Sequence, residues 1–304
     1  MAITSGDFAK GLWPGLNAIF NDTYNEHPLE CMEIFDSVSS NKAYEERLGF
    51  SGLGLAKVKP EGSSVSYDTM QQGFVQRTTN VVYALGYVIT REARDDNQYA
   101  ELGSARSKAL ARSMKQTKEI VAANILNRAF NSSYTGADGV ELCSTAHLTK
   151  NGLSFQNELT TAADLSEATL EQMCIDIADF EDERGLKIAV MPRKLVIPRQ
   201  LMFEAERILK STLQNDTANN AINVLKSKNI LREGYTVNHF LTDANNFWIL
   251  TDIRGDDGLI MQTRTGLEFS NDTDFNSDNM QFKAYERYAF DWVDPRCIYG
   301  SAPA

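Results

Sequence analysis

One long stretch with helical periodicity constrains the fold of this chain more than any other feature. Within residues 103–130, side chains suited to a buried stripe recur every three or four positions, at Leu110, Met114, Thr117, Val121 and Ile125. A helix of about 26 residues is roughly 39 Å long at 1.5 Å per residue. Such a helix is long for a compact domain, so we predict that it serves as a strut.

The same stretch carries a row of basic side chains, although the formal net charge of the chain is -11. The row consists of Arg106, Lys108, Arg112, Lys115 and Lys118, with Glu119 as an acidic neighbour. Such a row is most often a solvated helix face, or it pairs with acidic neighbours such as residues 181–183. The alternative is contact with other subunits or with nucleic acid. The residues alone favour the first interpretation.

The composition is that of a folded, acidic protein. The chain has 304 residues, of which 42% are hydrophobic and 23% charged, which suits one large or two ordinary domains. The negative net charge argues against a dedicated binder of duplex DNA or of membrane surfaces, because neutralising phosphates takes a basic face. A local basic patch is compatible with this composition.

No segment indicates export or a membrane span. The N-terminus lacks a basic region followed by an apolar one, so we predict no signal peptide. The most apolar run, residues 80–89, is shorter than the roughly 20 residues that a bilayer requires. The four cysteines lie far apart, which predicts reduced thiols and no disulfide framework. We therefore expect synthesis in the cytoplasm and no membrane partner.

The first 90 residues predict an arm followed by a projecting hairpin. In residues 1–43, we expect one or two short helices with a break at Pro14, an end before Pro28 and no core of their own. Glycines and a Pro-Glu-Gly turn punctuate the next stretch, and residues 81–89 alternate with period two. This pattern predicts a two-stranded hairpin. Because an isolated hairpin is marginally stable in water, we expect its tip to be mobile unless a partner holds it.

Strands and helices alternate over residues 164–270, which indicates a mixed α/β domain. Ser166 is a predicted N-cap for an acidic helix that extends to about residue 184, and apolar stretches around Pro192 predict two short strands. The C-terminal segment alternates, with Phe282, Ala284, Tyr288, Phe290 and Trp292 on one side. We expect this last long strand to pair with residues before 164, which makes the first domain discontinuous.

No motif for catalysis, cofactor binding or metal binding is complete. Cys143 and His147 are four residues apart, but their surroundings do not favour the helix that would let them share a metal. Residues 272–278 have the alternating oxygens of a calcium loop, yet Ser277 replaces its glycine and Lys283 its glutamate. Phosphate-binding, nucleophile-elbow and zinc-protease motifs are absent from the sequence. We therefore predict no catalytic residue, no cofactor and no metal.

Two blocks of sequence carry a resemblance to a known family. The first block, residues 59–99, contains PEG at 60–62, QG at 72–73, ALG at 84–86 and ITRE at 89–92. The second block, residues 288–301, contains DPR at 294–296 and IYGS at 298–301. With these blocks the chain resembles the major capsid proteins of tailed bacteriophages, which have the Hong Kong 97-type fold. The resemblance runs over nearly the whole chain and is only architectural through residues 131–275.

The resemblance implies an α+β fold, the Hong Kong 97-type capsid fold, and a division of the chain into parts. These parts would be an N-terminal arm (1–43), an extended loop hairpin (44–82), a peripheral domain (83–163 with 276–304) that contains a long spine helix (103–130), and an axial domain (164–275). The extended loop would reach over a neighbouring subunit. The axial domain would surround the centre of each hexamer or pentamer.

The function implied by the resemblance is structural and not enzymatic. The protein would tile an icosahedral shell of hexamers and pentamers around packaged double-stranded DNA. The shell would be the virion capsid, assembled in the cytoplasm of the host cell. The main partner would be the protein itself, beside separate scaffolding, portal and decoration proteins. Contact with DNA would be weak and without sequence specificity.

Two sets of residues take roles through the resemblance. The loop residues at the subunit interface would be Lys57, Lys59, Pro60, Glu61 and Gly62. The basic residues of the spine helix, which are Arg106, Lys108, Arg112, Lys115 and Lys118, would face the capsid interior and contact DNA or neighbouring carboxylates. Some relatives form covalent lysine–asparagine crosslinks in this loop. No matching catalytic carboxylate is recognisable here, so we predict no crosslink.

Two other functions remain open at this point. An encapsulin-like nanocompartment shell has the same fold and encloses a cargo enzyme instead of DNA. A soluble α/β enzyme would use residues 164–270 and form a small oligomer. A capsid protein would instead form pentamers, hexamers or much larger particles, so particle size separates these classes.

Overall fold

The computed structural model describes residues 6–95, 99–214 and 221–303, with side chains described for 15–93, 103–214 and 221–303. Its helices are α1 (Gly6–Asn25), α2 (Arg91–Asp95), α3 (Tyr99–Asn127), α4 (Glu167–Ala178), α5 (Met202–Lys210) and α6 (Val224–Lys228). Its strands are β1 (Asp36–Ser39), β2 (Tyr44–Phe50), β3 (Gln72–Thr79), β4 (Val81–Ile89), β5 (His147–Leu148), β6 (Ser154–Phe155), β7 (Pro192–Pro198), β8 (Tyr235–Asn238), β9 (Phe247–Thr251), β10 (Leu259–Thr273), β11 (Met280–Trp292) and β12 (Ile298–Ser301). The α+β class predicted from the sequence is confirmed.

The predicted long helix is present as α3, which runs for 29 residues. Of the five side chains predicted to be buried, the first two are buried and the last three are half-buried: Leu110 and Met114, then Thr117, Val121 and Ile125. The buried stripe continues instead through Lys118, Ala122 and Leu126. It takes this course because α1 contacts one part of the helix surface while β4 and β11 contact another.

A four-stranded sheet in the order β1-β10-β11-β4 packs against α3. Its strand β11 pairs antiparallel with both β10 and β4, so Tyr288 lies opposite Thr263 on one side and Val81 on the other. The residues predicted to form the apolar side of this strand are all buried: Phe282, Ala284, Tyr288, Phe290 and Trp292. The prediction that the last long strand pairs with residues before 164 is confirmed.

A second four-stranded sheet, in the order β12-β9-β7-β8, has a separate core shared with α4, α5 and α6. Ser166 caps α4 as predicted, because its Oγ accepts a hydrogen bond from the backbone N of Thr169 at 3.2 Å. The helix ends at Ala178, earlier than predicted, since the chain that follows folds into a tight turn. Of the two strands predicted around Pro192, only the second is present, as β7.

The C-terminal strands are divided between the two sheets, and this division does not follow the predicted domain boundaries. β10, which the sequence placed in the axial domain, pairs with β1 and β11 in the first sheet. β12, which it placed in the peripheral domain, pairs with β9 in the second sheet, with Ile298 opposite Leu250. A boundary at residue 275 therefore cuts the β10–β11 hairpin, whose long ladder of backbone hydrogen bonds holds both strands in one sheet.

The N-terminal segment packs on its own chain. α1 continues through Pro14 and Gly15, so the predicted break there is wrong. A proline inside a helix costs about 3 kcal/mol. Leu16 is buried with residues of β4 and β11, and Phe20 with residues of α3 and β11, and this apolar burial offsets the cost. The helix ends before Pro28, as expected.

A hairpin is present as predicted, but β2 and β3 form it, with residues 51–71 as the loop between them, whereas the alternating residues 81–89 are β4 and pair with β11. Its register runs from Tyr44 opposite Thr79 to Leu48 opposite Val75. Asn80 alone separates β3 from β4, which is an edge strand of the first sheet. The hairpin therefore extends from the edge of the first sheet, and the loop lies outside both cores.

Candidate interaction surfaces

The loop of residues 51–71 presents apolar side chains to solvent. Leu55 is 78% exposed, Tyr67 93% and Val58 95%. Further exposed apolar residues of the loop are Leu53, Val65 and Met70. Contiguous apolar side chains at a protein surface mark sites where another protein binds. The loop is therefore the first candidate interaction surface.

The five loop residues that the sequence assigned to a subunit interface are all exposed: Lys57, Lys59, Pro60, Glu61 and Gly62. Pro60 begins a turn, and its carbonyl accepts hydrogen bonds from Ser63 N at 3.2 Å and Ser63 Oγ at 2.7 Å. Gly62 has a φ of 76°, a conformation that glycine adopts without steric cost. In the part of the chain that the structure describes, neither Lys57 nor Lys59 forms an ion pair. Both ammonium groups are therefore open to solvent just before the turn.

Buried polar contacts fix the base of the hairpin to the first sheet. Asp291 of β11 accepts hydrogen bonds from Thr78 Oγ1 at 2.6 Å and from Gln76 Nε2 at 2.9 Å, and both donors lie on β3. Burial raises the pKa of Asp291, while these hydrogen bonds act in the opposite direction. The hydrogen bonds to Asp291 therefore fix the position of β3 relative to β11.

A second set of polar contacts links the hairpin to β10. Arg47 Nη1 donates to Gln262 Oε1 at 2.9 Å, and Gln262 Nε2 donates to Asn80 Oδ1 at 3.0 Å. Asn80 Nδ2 donates in turn to Ser40 Oγ at 3.2 Å. None of these residues was predicted from the sequence. No local sequence signal marks them, because all five residues from 76 to 80 are polar and their alternating burial appears only in the structure.

The exposed face of α3 is the second candidate surface. Arg106, Lys108 and Arg112 are exposed, with Arg106 near one edge of this surface and Lys108 near the other, because residues two positions apart on a helix do not point the same way. Arg106 donates to the carbonyl oxygen of Val88, and Arg112 Nη2 lies 3.9 Å from Glu26 Oε2. Among the residues that the structure describes, Lys108 has no ion-pair partner. Lys108 is therefore available to a ligand outside the chain, while Arg106 and Arg112 would have to share or exchange their present partners.

Lys118 does not lie on this exposed face. Its side chain is buried, its Nζ lies 2.9 Å from Glu286 Oε1 on β11, and it donates to Tyr24 Oη at 2.7 Å. This is a correction to the predicted interior-facing row, because a buried and paired ammonium cannot reach DNA. The sequence signal is the four-residue spacing from Met114 to Lys118 to Ala122, which places Lys118 on the buried stripe.

Lys115 and Glu119 bind the end of α1 and the segment that follows it. Lys115, which is half-buried, donates from Nζ to the carbonyl oxygen of Tyr24 at 3.0 Å. The Glu119 carboxylate accepts hydrogen bonds from the backbone N of Glu30 at 2.7 Å and of Cys31 at 3.0 Å. Burial raises the pKa of Glu119. Lys115, which belongs to the row predicted to contact DNA or neighbouring carboxylates, therefore helps to position the N-terminal segment.

Cys143 and His147 serve packing in this structure. His147 is fully buried, with Nδ1 2.6 Å from Asp138 Oδ2 and Nε2 3.1 Å from Asn157 Oδ1. Burial raises the pKa of the Cys143 thiol, which disfavours the thiolate that binds metals. Within residues 6–95, 99–214 and 221–303, no group of three or more His, Cys, Asp and Glu side chains could hold a metal ion. In the same residues, no helix has both the length and the apolar character to cross a bilayer.

A comparison with models of protein families identifies the family to which this chain belongs. The model described as phage capsid protein matches residues 76–301, which is well over half of the chain. The chain belongs to this phage capsid protein family. The capsid protein is thus a structural protein, as the sequence predicted. No curated protein is significantly similar to it in sequence.

Solved structures share the fold of the capsid protein. The procapsid of bacteriophage JBD30 is similar with a TM-score of 0.53 and 12% identity, covering 99% of this chain and 77% of that one. A virus-like particle from Pyrococcus furiosus has a TM-score of 0.52 and 13% identity, covering 94% and 98%. Microbacterium phage Oxtober96 has a TM-score of 0.52 and 10% identity, covering 90% of each chain. The likeness concerns the fold, and the predicted Hong Kong 97-type fold is confirmed.

We call α3, which covers most of the predicted spine helix at 103–130, the spine helix. Within the predicted loop hairpin at 44–82, we call residues 51–71, which β2 and β3 carry, the extended loop. The apolar surface of the extended loop and the exposed basic face of the spine helix are the two surfaces through which the capsid protein could bind partners.

Proposed function

We propose that the capsid protein assembles as hexamers and pentamers into an icosahedral shell that encloses packaged double-stranded DNA. The observation that carries this proposal is the extended loop, whose apolar side chains are exposed in the single chain. A second copy that covers this loop removes its apolar surface from water, and association becomes favourable. The shell would form in the cytoplasm of the host cell and become part of the virion.

The apolar surface of the extended loop is large enough to contribute to subunit binding. Fully burying one Val, Leu or Met side chain contributes about 1.5–3 kcal/mol. Leu55, Val58 and Tyr67 are each more than three-quarters exposed in the single chain. In a closed ring each subunit gives one loop and receives one, so the same contact repeats around the ring. Many contacts of moderate strength let misplaced subunits leave before the shell closes.

We propose that the exposed face of the spine helix contacts DNA weakly. Arg106, Lys108 and Arg112 supply three cations there, while the chain as a whole is acidic. Phosphate contacts by a few cations are weak, sensitive to salt and independent of base sequence. Weak contact suits a container, because strong binding would stall the DNA during entry.

We propose separate scaffolding, portal and decoration proteins as partners, and no enzymatic activity. The proposed arm remains residues 1–43 and the proposed loop hairpin 44–82. The first sheet with the spine helix would be the peripheral domain, and the second sheet with α4, α5 and α6 the axial domain. This assignment moves β10 into the peripheral domain and β12 into the axial domain.

Sedimentation velocity and negative-stain electron microscopy of the purified protein test this function. We expect rings of five or six subunits, or closed shells, from the natural chain. A variant that lacks residues 52–66 should remain a folded subunit, with an unchanged circular dichroism spectrum, and should form no closed shells. Normal shells from this variant would contradict the role of the loop. A natural chain that stays a monomer at high concentration would contradict the proposed function.

An encapsulin-like shell around a protein cargo is the second candidate. The shared fold with a virus-like particle from Pyrococcus furiosus favours it. Purified particles treated with nuclease and then opened distinguish the two. Protected double-stranded DNA supports a phage head, whereas a second protein at fixed stoichiometry without DNA supports a nanocompartment.

A further inference from the structure

One arginine joins the extended loop to the body of its own chain. Arg184 Nη1 lies 2.5 Å from Asp68 Oδ2, and Arg184 Nη2 donates to Asp68 Oδ1 at 3.3 Å and to Thr69 O at 2.8 Å. Within the described residues, these are the only hydrogen bonds that connect residues 52–70 to the rest of the chain outside the loop. The orientation of the loop therefore depends on this contact.

A rigid turn presents Arg184. Asp182 Oδ1 accepts hydrogen bonds from the backbone N of Arg184 at 2.7 Å and of Leu186 at 2.9 Å. Glu183 accepts two more from residues 150–151, at 3.0 Å on its carboxylate and at 2.7 Å on its carbonyl. Four hydrogen bonds thus fix the turn from which the Arg184 side chain extends. Its guanidinium group can therefore hold the loop in one place.

Both limbs of the loop meet at the carboxylate of Asp68. Its Oδ2, which faces Arg184, also accepts a hydrogen bond from Gly54 N at 2.7 Å. A Cβ at position 54 would lie 3.0 Å from Arg184 Nη1 and 3.1 Å from Asp68 Oδ2, so a larger residue there would displace the ion pair by a few tenths of an ångström. The hydrogen bonds from Arg184 hold the pKa of Asp68 well below its usual range, so the ion pair persists into acidic solution.

We propose that Arg184 is a positioning residue that sets the direction in which the extended loop leaves the subunit. The proposal rests on the proposed function, in which the loop must meet a neighbouring copy. Without Arg184, the part of the loop beyond its base is attached only through its two ends and samples many directions. Ordering the loop beforehand lowers the entropy cost of association. Because the ion pair is partly exposed, it contributes little to folding stability.

The first experiment measures the loop direction in the unassembled subunit. Spin labels are attached at Val58→Cys, near the tip, and at Ala168→Cys on α4, in a chain that carries Cys174→Ser. The three remaining cysteines are buried and react poorly with the label. Double electron–electron resonance then gives the distribution of distances between the labels. We expect one narrow peak in this chain and loss of that peak when Arg184→Ala is added.

Lys187→Ala is the matched control for this measurement. Lys187 lies just beyond the same turn, but its Nζ pairs with Asp179 at 2.7 Å and with Glu181 at 2.9 Å, away from the loop. We expect this control to keep the narrow peak. Arg184→Lys keeps the charge but cannot bind Asp68 and Thr69 together as the guanidinium does. We expect it to restore the peak in part.

The second experiment compares assembly of the same variants by sedimentation velocity and electron microscopy. We expect Arg184→Ala to lose closed shells while its melting temperature stays unchanged, and Lys187→Ala to form normal shells. A narrow distance peak in Arg184→Ala would overturn the proposal. Normal shells from a variant with a disordered loop would overturn the link between loop direction and assembly. If the natural chain forms no shells, the proposed function fails, and the distance measurement still decides whether Arg184 orders the loop.

Discussion

At the scale of single residues, Lys118 belongs to a basic row by charge and to the core by position. It lies four residues from Met114 and from Ala122, which are both buried, and its ammonium is paired with Glu286. Charge indicates an exposed position, whereas helical spacing indicates a buried one. Spacing prevails here because the helix is covered at this level and the opposite strand supplies a carboxylate.

Lys118→Met should destabilise the subunit strongly. It leaves Glu286, which is 1% exposed, as a buried charge without its cation. Removing one partner of a buried ion pair typically costs about 3–5 kcal/mol. Urea unfolding of the unassembled subunit measures the change. The exposed control Lys108→Met should stay within about 0.5 kcal/mol of the natural chain. Equal losses from both variants would argue against the buried pair.

Asp291 should make stability depend on pH. Its folded-state pKa is raised above the ordinary value of 3.8, so the folded chain binds this proton more tightly than the unfolded chain does. The resulting stabilisation is present below about pH 4 and is lost as the pH rises through the folded-state pKa. The natural chain and Asp291→Asn differ in free energy of unfolding. We expect this difference, natural chain minus variant, to fall as the pH rises from about 4 through the folded-state pKa. Urea titrations at several pH values measure it, with the exposed Asp164→Asn as control, and a constant difference would contradict the assignment.

At the scale of elements, local periodicity could be predicted, whereas pairing between distant segments could be predicted only in part. The alternation of β11 correctly predicted its buried side and its pairing with residues before 164, because both follow from one amphipathic strand that needs neighbours, but it did not identify β4 as the partner. The break predicted at Pro14 was wrong, because local propensity ignores the burial of Leu16 and Phe20 against distant segments. The sequence therefore revealed the pattern within an element, but it did not reveal most of the elements that pack against it.

Trp292→Ala should destabilise β11, the strand that pairs with both β10 and β4 in the first sheet. The ring is 8% exposed and belongs to the core that α3 and β11 share. Truncation of a buried Trp costs about 3–5 kcal/mol. Thermal and urea unfolding of the unassembled subunit measure the loss of stability. Phe203→Ala, at a side chain that is 71% exposed, is the control and should change little. An unchanged melting curve for Trp292→Ala would contradict the burial of this strand.

The exposed face of the spine helix should carry the salt-dependent part of DNA binding. Replacing Arg106, Lys108 and Arg112 by Gln should lower the slope of log K against log salt by up to about 0.9 for each phosphate that is no longer neutralised. Fluorescence anisotropy with a DNA duplex at several salt concentrations measures the slope. The control replaces three exposed lysines away from this face, at 42, 210 and 228, so the net charge changes equally. Equal slopes for the two triple variants would assign the effect to overall charge.

At the scale of the whole molecule, the N-terminal segment and the extended loop behave differently. The segment that contains α1 is buried on its own chain, through Leu16, Phe20 and the contacts with Lys115 and Glu119. The extended loop instead keeps its apolar side chains in solvent and touches the body at Arg184. Of these two segments, the loop is therefore the one with apolar surface available to another copy.

Replacing exposed apolar side chains of the loop should weaken assembly without weakening the fold. Val58→Ser with Tyr67→Ser removes two side chains that are more than 90% exposed, so unfolding of the subunit should not change. The protein concentration needed for assembly should rise about tenfold for each 1.4 kcal/mol by which the binding free energy weakens. Light scattering across a concentration series measures it. Val58→Ile with Tyr67→Phe keeps the apolar area and should assemble normally. An unchanged concentration for the Ser variant would exclude this surface from the interface.

By itself, the sequence determined the long helix, the hairpin, the cap at Ser166, the buried side of β11 and the two blocks that point to a phage capsid protein. Each of these is a local pattern, so a single stretch of residues contains the information. Tertiary structure decided the sheet to which β10 and β12 belong, the helix that continues through Pro14, and the partners of Lys118, Asp291 and Arg184. These features depend on which distant segments meet, and the free energy of such contacts exceeds the local preferences that a sequence shows.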